Sequence, residues 1–313
     1  MNRRLPRPRH LPCVRPVLLS CAALLCTQAH ADWRYSIHWP TGAPASTAYA
    51  QSIDTAVGSA LGLWARHLSG GADVEVQLEF TDSVRGATGA SFTSKFVRHE
   101  GSYTLYEQGL AYEIRTGIDP NGTESDVRIR VNADYCANEL WFDPEPTLRR
   151  AAVPENRTDA VSLFAHEIGH ALGFSGWWGE PDGSSRLEYA STWDQNLRYD
   201  GSALYFAGPA ATALYGAAVP ITLGNNWHVG NATGPGSDLL SDLMNGVTLQ
   251  RGLRYGVSPL DLAMLEDMGI ALAPVPEPGT WALMLMGLAA VTTASRKCSH
   301  AGRLAGSLSS ISS

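Results

Sequence analysis

The stretch Phe164-Ala165-His166-Glu167-Ile168-Gly169-His170-Ala171-Leu172-Gly173-Phe174 decides how the rest of this chain is read. On a helix, His166 and His170 stand at i and i+4, one turn apart on one face. Two neutral imidazoles at that spacing can hold one zinc ion, at about 2.0–2.1 Å each. Glu167 follows the first of them, where its carboxylate can reach a metal-bound water without binding the metal. Zinc brings the pKa of such a water down to about 7, and the carboxylate can then take its proton. The competing reading is an amphipathic core helix with two structurally satisfied histidines. The punctuation around the motif argues against it. Thr158 or Asp159 can cap the helix start, and Ala160, Val161, Leu163, Phe164, Ile168, Ala171 and Leu172 supply apolar faces. Gly173 stops the helix three residues after the second histidine, so the chain can turn back and bring in a third ligand.

The chain has 313 residues, 44% of them hydrophobic, enough for a sizeable core. A net charge of -7 argues against a nucleic-acid partner. Residues 1–31 read as a signal peptide. Arg3, Arg4, Arg7, Arg9 and Arg15 form its basic start, Val17 to Cys26 its apolar stretch, and Ala29-His30-Ala31 the cleavage site. A lipid-attachment box at Leu18-Leu19-Ser20-Cys21 is the alternative. Cys13, Cys21 and Cys26 leave with the signal, and Cys298 sits in the C-terminal tail. That leaves Cys136 in the body as a small buried residue, with no internal disulfide.

Residues 32–274 read as one domain. Asp32 to Pro40 and Val74 to Phe80 alternate as strands, and Val127 to Val131 is a further strand. Ala111 to Arg115 also reads as a strand, and Gly86 to Arg98 as a loop rich in Gly, Ser and Thr. Ser52 to Leu68 has helical spacing, with Ile53, Val57, Ala60, Leu61 and Trp64 in a stripe. Gly176 to Gly236 is irregular, with a short helix expected around Trp193 to Tyr199. Ser258 to Gly269 is a well-marked last helix, capped by Ser258 and opened by Pro259.

A catalytic zinc takes three protein ligands and a water. Downstream of the helix, the body holds one further histidine, His228, with Trp227 beside it to pack against the ring. Glu188 is the rival ligand, with Glu180 and Asp182 behind it. Asp242-Leu243-Met244-Asn245-Gly246 looks like a tight turn that sets a methionine beneath the metal.

Together, His166-Glu167-Ile168-Gly169-His170-Ala171-Leu172-Gly173-Phe174, the late His228 and the Leu243-Met244 turn resemble leishmanolysin-type metzincins. In that family an insertion separates the helix glycine from the third zinc histidine. The commoner metzincin pattern would put that histidine at 176, where this chain has Gly176. Asp126 to Phe174 is also similar to the matrixin arrangement, with an edge strand ahead of the zinc helix. The resemblance implies an α+β domain with a twisted mixed sheet, a zinc-binding active-site helix, a Met-turn and a C-terminal helix. It implies His166, His170 and His228 as zinc ligands, Glu167 as general base, and protein or peptide substrates. The cysteine-rich framework and cysteine-bearing pro-segment of leishmanolysin are missing here.

Residues 275–297 change character. Pro276-Glu277-Pro278, an apolar run from Thr280 to Ala294, and Arg296-Lys297 resemble a PEP-CTERM sorting signal, and residues 298–313 extend past it. That resemblance implies export, transient membrane anchoring through the tail and handling by an exosortase. The expectation is thus an exported zinc metalloendopeptidase. The alternative is an envelope adhesion or matrix module with a structural zinc or lost activity.

Overall fold

The computed structural model describes residues 33–39, 46–177, 188–230, 239–274 and 286–288. In chain order the elements are β1 (Trp33–His38), α1 (Ser46–Ala65), β2 (Ala72–Phe80), β3 (Ala87–Ser91), β4 (Ser94–Glu100), β5 (Tyr103–Gln108) and α2 (Gly109–Thr116). Then come β6 (Val127–Val131), α3 (Ala133–Asn138), β7 (Leu140–Trp141), β8 (Thr158–Asp159) and α4 (Ala160–Leu172). The C-terminal part holds β9 (Tyr189–Ser191), a short 3-10 turn (Asp194–Asn196), β10 (Leu197–Tyr199), β11 (Leu204–Phe206), α5 (Pro209–Tyr215), β12 (Val219–Pro220) and α6 (Pro259–Asp267).

The main sheet has the order β1-β2-β6-β3. β1, β2 and β6 run parallel, joined through crossovers that include α1, while β3 closes the edge antiparallel to β6. Val74, Val76, Leu78, Val127, Ile129 and Val131 are buried on one face. The other face carries polar residues such as Glu79, paired with Arg130 at 3.1 Å. A sheet covered on one face only shows this period-two alternation, and the assembly is a mixed, α+β arrangement with several small sheets.

The stripe predicted on α1 faces the core: Ile53, Val57, Ala60, Leu61 and Trp64 are all buried. Trp64 Nε1 donates to the Ala165 carbonyl at 2.9 Å, which fixes α1 against α4. Phe174 continues the contact to Trp193 (5.4 Å between rings) and Trp193 to Phe206 (5.0 Å), so one aromatic run joins the sheet half to the C-terminal half.

Several sequence expectations are corrected by the fold. Gly86 to Arg98 is not a loop but holds β3 and most of β4. Its residues have little intrinsic strand preference; pairing with β6 and packing against α4 make the strand. Ala111 to Arg115 is not a strand but part of α2. Leu110, Ala111 and Ile114 are buried at helical spacing, and Gly117 ends the helix in the left-handed region at φ 68°. The edge strand beside α4 is β3, whereas β6, the last strand of the main sheet ahead of α4 in the chain, lies inside the sheet. The first long helix starts at Ser46 rather than Ser52 and ends at Ala65. The expected short helix near Trp193 is a 3-10 turn followed by β10. The signal peptide, Glu180, Asp182 and most of the tail lie outside the described residues.

Candidate metal centre

Helix α4 is buried along its whole length. Asp159 caps it, accepting from Ser162 N at 3.0 Å and Ser162 Oγ at 2.6 Å. Arg149 closes the same end, donating to Asp159 Oδ2 (2.6 Å), Ser162 Oγ (2.9 Å) and the Tyr255 carbonyl (3.0 Å). Gly173 ends the helix at φ 154°.

The structure brings His166, His170 and His228 together, all buried. His166 Nε2 lies 3.3 Å from His170 Nε2 and 3.1 Å from His228 Nε2. Two ligands held at about 2.0–2.1 Å by one tetrahedral ion stand about 3.3–3.4 Å apart, so the spacing fits a shared divalent metal. The outer nitrogens decide the chemistry of the inner ones. His166 Nδ1 is 2.7 Å from the Leu243 carbonyl and His170 Nδ1 is 2.6 Å from the Phe174 carbonyl. A carbonyl accepts only, so each Nδ1 carries the proton and each Nε2 a lone pair. Those two Nε2 atoms cannot bond each other. Facing lone pairs at this distance call for a cation between them. Burial holds all three imidazoles below their usual pKa, His170 down to about 3 with His166 adding repulsion, so they are neutral ligands at pH 7.

The turn at Asp242 to Gly246 organises the cluster. Its Leu243 carbonyl fixes His166. Met244 is buried under α4, where a Cβ at Gly169 would stand 2.5 Å from Met244 Sδ. Val229 N donates to the Met244 carbonyl at 3.0 Å, and Gly246 N to the Val229 carbonyl at 3.3 Å, which sets His228 by its neighbour. A side chain at Gly246 would come within 2.7 Å of His228 Cβ, so glycine is what allows that approach. Asp242 Oδ2 accepts from Ser258 Oγ at 2.7 Å, tying the turn to the start of α6.

Glu167 is buried next to the cluster, and burial pushes its carboxyl up to about 8, offset in part by the Gly89 amide. Glu167, His166 and His228 line an open cleft with Gly86, Ala87, Tyr135, Leu163 and Val247. Glu188 is not in the cluster; it is exposed, and its carbonyl accepts from Thr104 N at 2.8 Å. Trp227 is corrected too. It is 44% exposed and lines a separate groove with Phe92, Thr93 and Trp177, while the ring stacked on His228 is that of His166. Gly176, where the commoner pattern has a histidine, is crowded by Asp194, whose Cγ a Cβ would meet at 2.7 Å. Cys136 is buried, its thiol pushed up to about 11 by burial, as an inert core cysteine would be. Sequence reading missed the carbonyls of Leu243 and Phe174, because backbone partners leave no residue-type signal. It also missed β3, whose only trace is the glycine at 89.

The sequence model of the PEP-CTERM protein-sorting motif matches residues 274–297. The chain therefore carries a tail of the class that directs export, is recognised by exosortase-type machinery and anchors the protein in the membrane before processing. No curated protein matches the chain, and no solved structure does. Among the described residues no helix is long and apolar enough to cross a membrane.

Proposed function

We propose that the protein is an exported zinc-dependent metalloendopeptidase with a metzincin-like domain. The observation that carries this reading is the convergence of three neutral imidazole Nε2 atoms, two with their tautomers set by carbonyls, beside a buried glutamate at an open cleft. His166, His170 and His228 would hold the zinc. Zinc, when bound, supplies a Lewis acid for a scissile carbonyl and lowers the pKa of water. The cleft that opens onto His166 and His228 favours an open hydrolytic site over a closed structural one.

The chain's own residues do the rest. Burial disfavours the Glu167 anion and a cation held by the neighbouring histidines would restore it, so that Glu167 would accept a proton from a water at its carboxylate and return it to the leaving amine. β3 is terminal in the sheet, so apart from the Gly89 amide, which bonds Glu167, its outer backbone edge can pair with an extended peptide. The cleft beside it is about 260 Å³, below the size that encloses a drug-sized ligand, so it would receive one side chain of a longer substrate. Leu163, Val247 and Leu249 offer that side chain apolar contact.

Metal analysis of the purified protein and cleavage of casein test the proposal. One zinc per chain is expected. Glu167→Ala should retain that zinc and lose turnover by about 10²–10⁴-fold, the usual worth of a general base. A Glu167→Ala variant as fast as wild type would overturn the mechanism.

A further inference from the structure

At one end of the main sheet, four acidic residues from different elements come together: Glu75 of β2, Glu113 of α2, Asp119 in the following turn, and Asp126 just before β6. Oxygens of Glu113, Asp119 and Asp126 all lie within 4.8 Å of one another. The backbone holds them there. Asp126 N donates to the Glu75 carbonyl at 2.8 Å, Glu75 N to Asp126 Oδ2 at 3.0 Å, and Asp73 N to Glu113 Oε1 at 2.8 Å. Asn121 N and Gly122 N both donate to Asp119 Oδ1, which fixes the turn.

Clustering alone does not make a site. The second observation is what these buried groups lack. Glu113 is 3% exposed and Asp126 0%, yet Glu113 Oε2 and Asp126 Oδ1 have no hydrogen-bond partner. Glu75 Oε2 and the amide oxygen Asn121 Oδ1 are buried without partners as well. Among the described residues no Lys, Arg or His forms an ion pair with Glu75, Glu113, Asp119 or Asp126. Buried polar atoms are normally bonded and buried charges paired. The Glu75 and Asp126 carboxyls face each other, and Asn121 lies beside Asp126, so these acceptors need either a shared proton or a cation among them.

We propose that Glu113, Asp119, Asn121 and Asp126 form a calcium site, with Glu75 at its rim. The donors are all oxygen, which selects a hard cation. Opposite oxygens across a calcium ion, each bonded at 2.3–2.6 Å, stand about 4.6–5.2 Å apart, and the cluster fits inside that span. Magnesium needs a tighter octahedron, at 2.0–2.1 Å, than side chains from a helix, a turn and a strand end supply. Carboxylates that would otherwise repel one another would then brace α2 to the ends of β2 and β6. An exported protein meets calcium at concentrations where extracellular modules bind it, about 10⁻⁴–10⁻³ M.

The competing account is a metal-free cluster in which the carboxyls share protons. Calcium titration calorimetry and thermal melting of the full chain separate the two, at pH 7.5 with zinc held constant so that the histidine cluster does not respond. The site predicts one calcium per chain and a melting temperature raised by about 2–9 °C in 5 mM calcium chloride. Asp119→Asn keeps an acceptor for the turn, and Glu113→Gln keeps one for Asp73 N. Each should weaken calcium binding at least about tenfold without unfolding the protein. The proposal falls if calcium leaves wild-type melting unchanged while Glu113→Gln melts higher with and without the ion. It falls equally if calcium binds and neither substitution weakens it, since the ion then sits elsewhere.

Discussion

Gly89→Ala is the sharpest test of how the edge strand β3 and helix α4 fit. A Cβ at Gly89 would lie 2.6 Å from the carbonyl carbon of Glu167 and 2.7 Å from its Cα. Carbon atoms in contact prefer about 3.5–4.0 Å, so the strand or the helix must give way by about 1 Å. The obstacle is helix backbone, with no side chain to rotate aside. Overpacking of this kind costs about 1–3 kcal/mol. Replacing a strand glycine returns about 0.5–1 kcal/mol of chain entropy. With the clash at the upper end of its range, about 2 kcal/mol of destabilisation remains, or a melting temperature about 4–8 °C lower for a domain of this size. A displacement of 1 Å beside a reacting group costs about 100-fold in rate. Gly86, just ahead of the same strand, has open space around its Cβ position, so Gly86→Ala is the stability control. Differential scanning calorimetry and casein cleavage read the two effects. If Gly89→Ala melts within 1 °C of Gly86→Ala, by the roughly 2 °C resolution that 1 kcal/mol implies, and cleaves at the wild-type rate, β3 is not seated against Glu167.

His228→Ala should lose most bound zinc while Glu188→Ala keeps it, read by metal content after dialysis, with circular dichroism to exclude unfolding; the reverse pattern would put a carboxylate in the site. The third ligand matters because two imidazoles on one helix turn hold the ion weakly. In calcium-free buffer Glu113→Gln should gain on wild type as pH rises. Burial raises the Glu113 carboxyl from 4.5 to about 7, so its contribution to stability is fully present below 4.5 and is lost as pH climbs through 7. A melting difference that stays flat from pH 4.5 to 8 would contradict this. Replacing Pro276-Glu277-Pro278 by alanines should change where the protein accumulates in its host and leave peptide cleavage intact, checked by fractionation; unchanged processing and location would remove the sorting role of the tail.

Parts of this protein were legible from local sequence because local physics decides them. The helix over residues 160–172 announces itself by a capping aspartate, helical apolar spacing and a terminal glycine. The last helix does so through the Ser258 capping box and Pro259. The i, i+4 spacing puts His166 and His170 on one face in any α-helix, and the composition break before Pro276 marks the sorting tail before any fold is known.

Other features were beyond such reading because their causes are distant in sequence. The small residues of β3 form a strand only because β6 offers a ladder and α4 a surface, and Gly89 is required by a backbone that lies far along the chain. The segment at residues 111–115 reads as a strand from its own residues, and it is the packing of Leu110 and Ile114 on the core that makes it a helix. His228 and Glu188 are alternatives in the sequence; the turn at Asp242–Gly246 sets Val229 in place and so brings His228 beside the histidine pair, while Glu188 lies at the surface. The tautomers of His166 and His170 depend on carbonyls of Leu243 and Phe174. So does the inference that their inner nitrogens need a cation, and no residue type encodes it. Sequence by itself determined the spacing of the histidine pair on one helix face and the sorting tail, since each is a matter of neighbours along the chain. Tertiary structure alone brought His228 to the helix pair, made the edge strand and gathered the acidic cluster, since each is assembled from segments that only the folded core brings within a few ångströms.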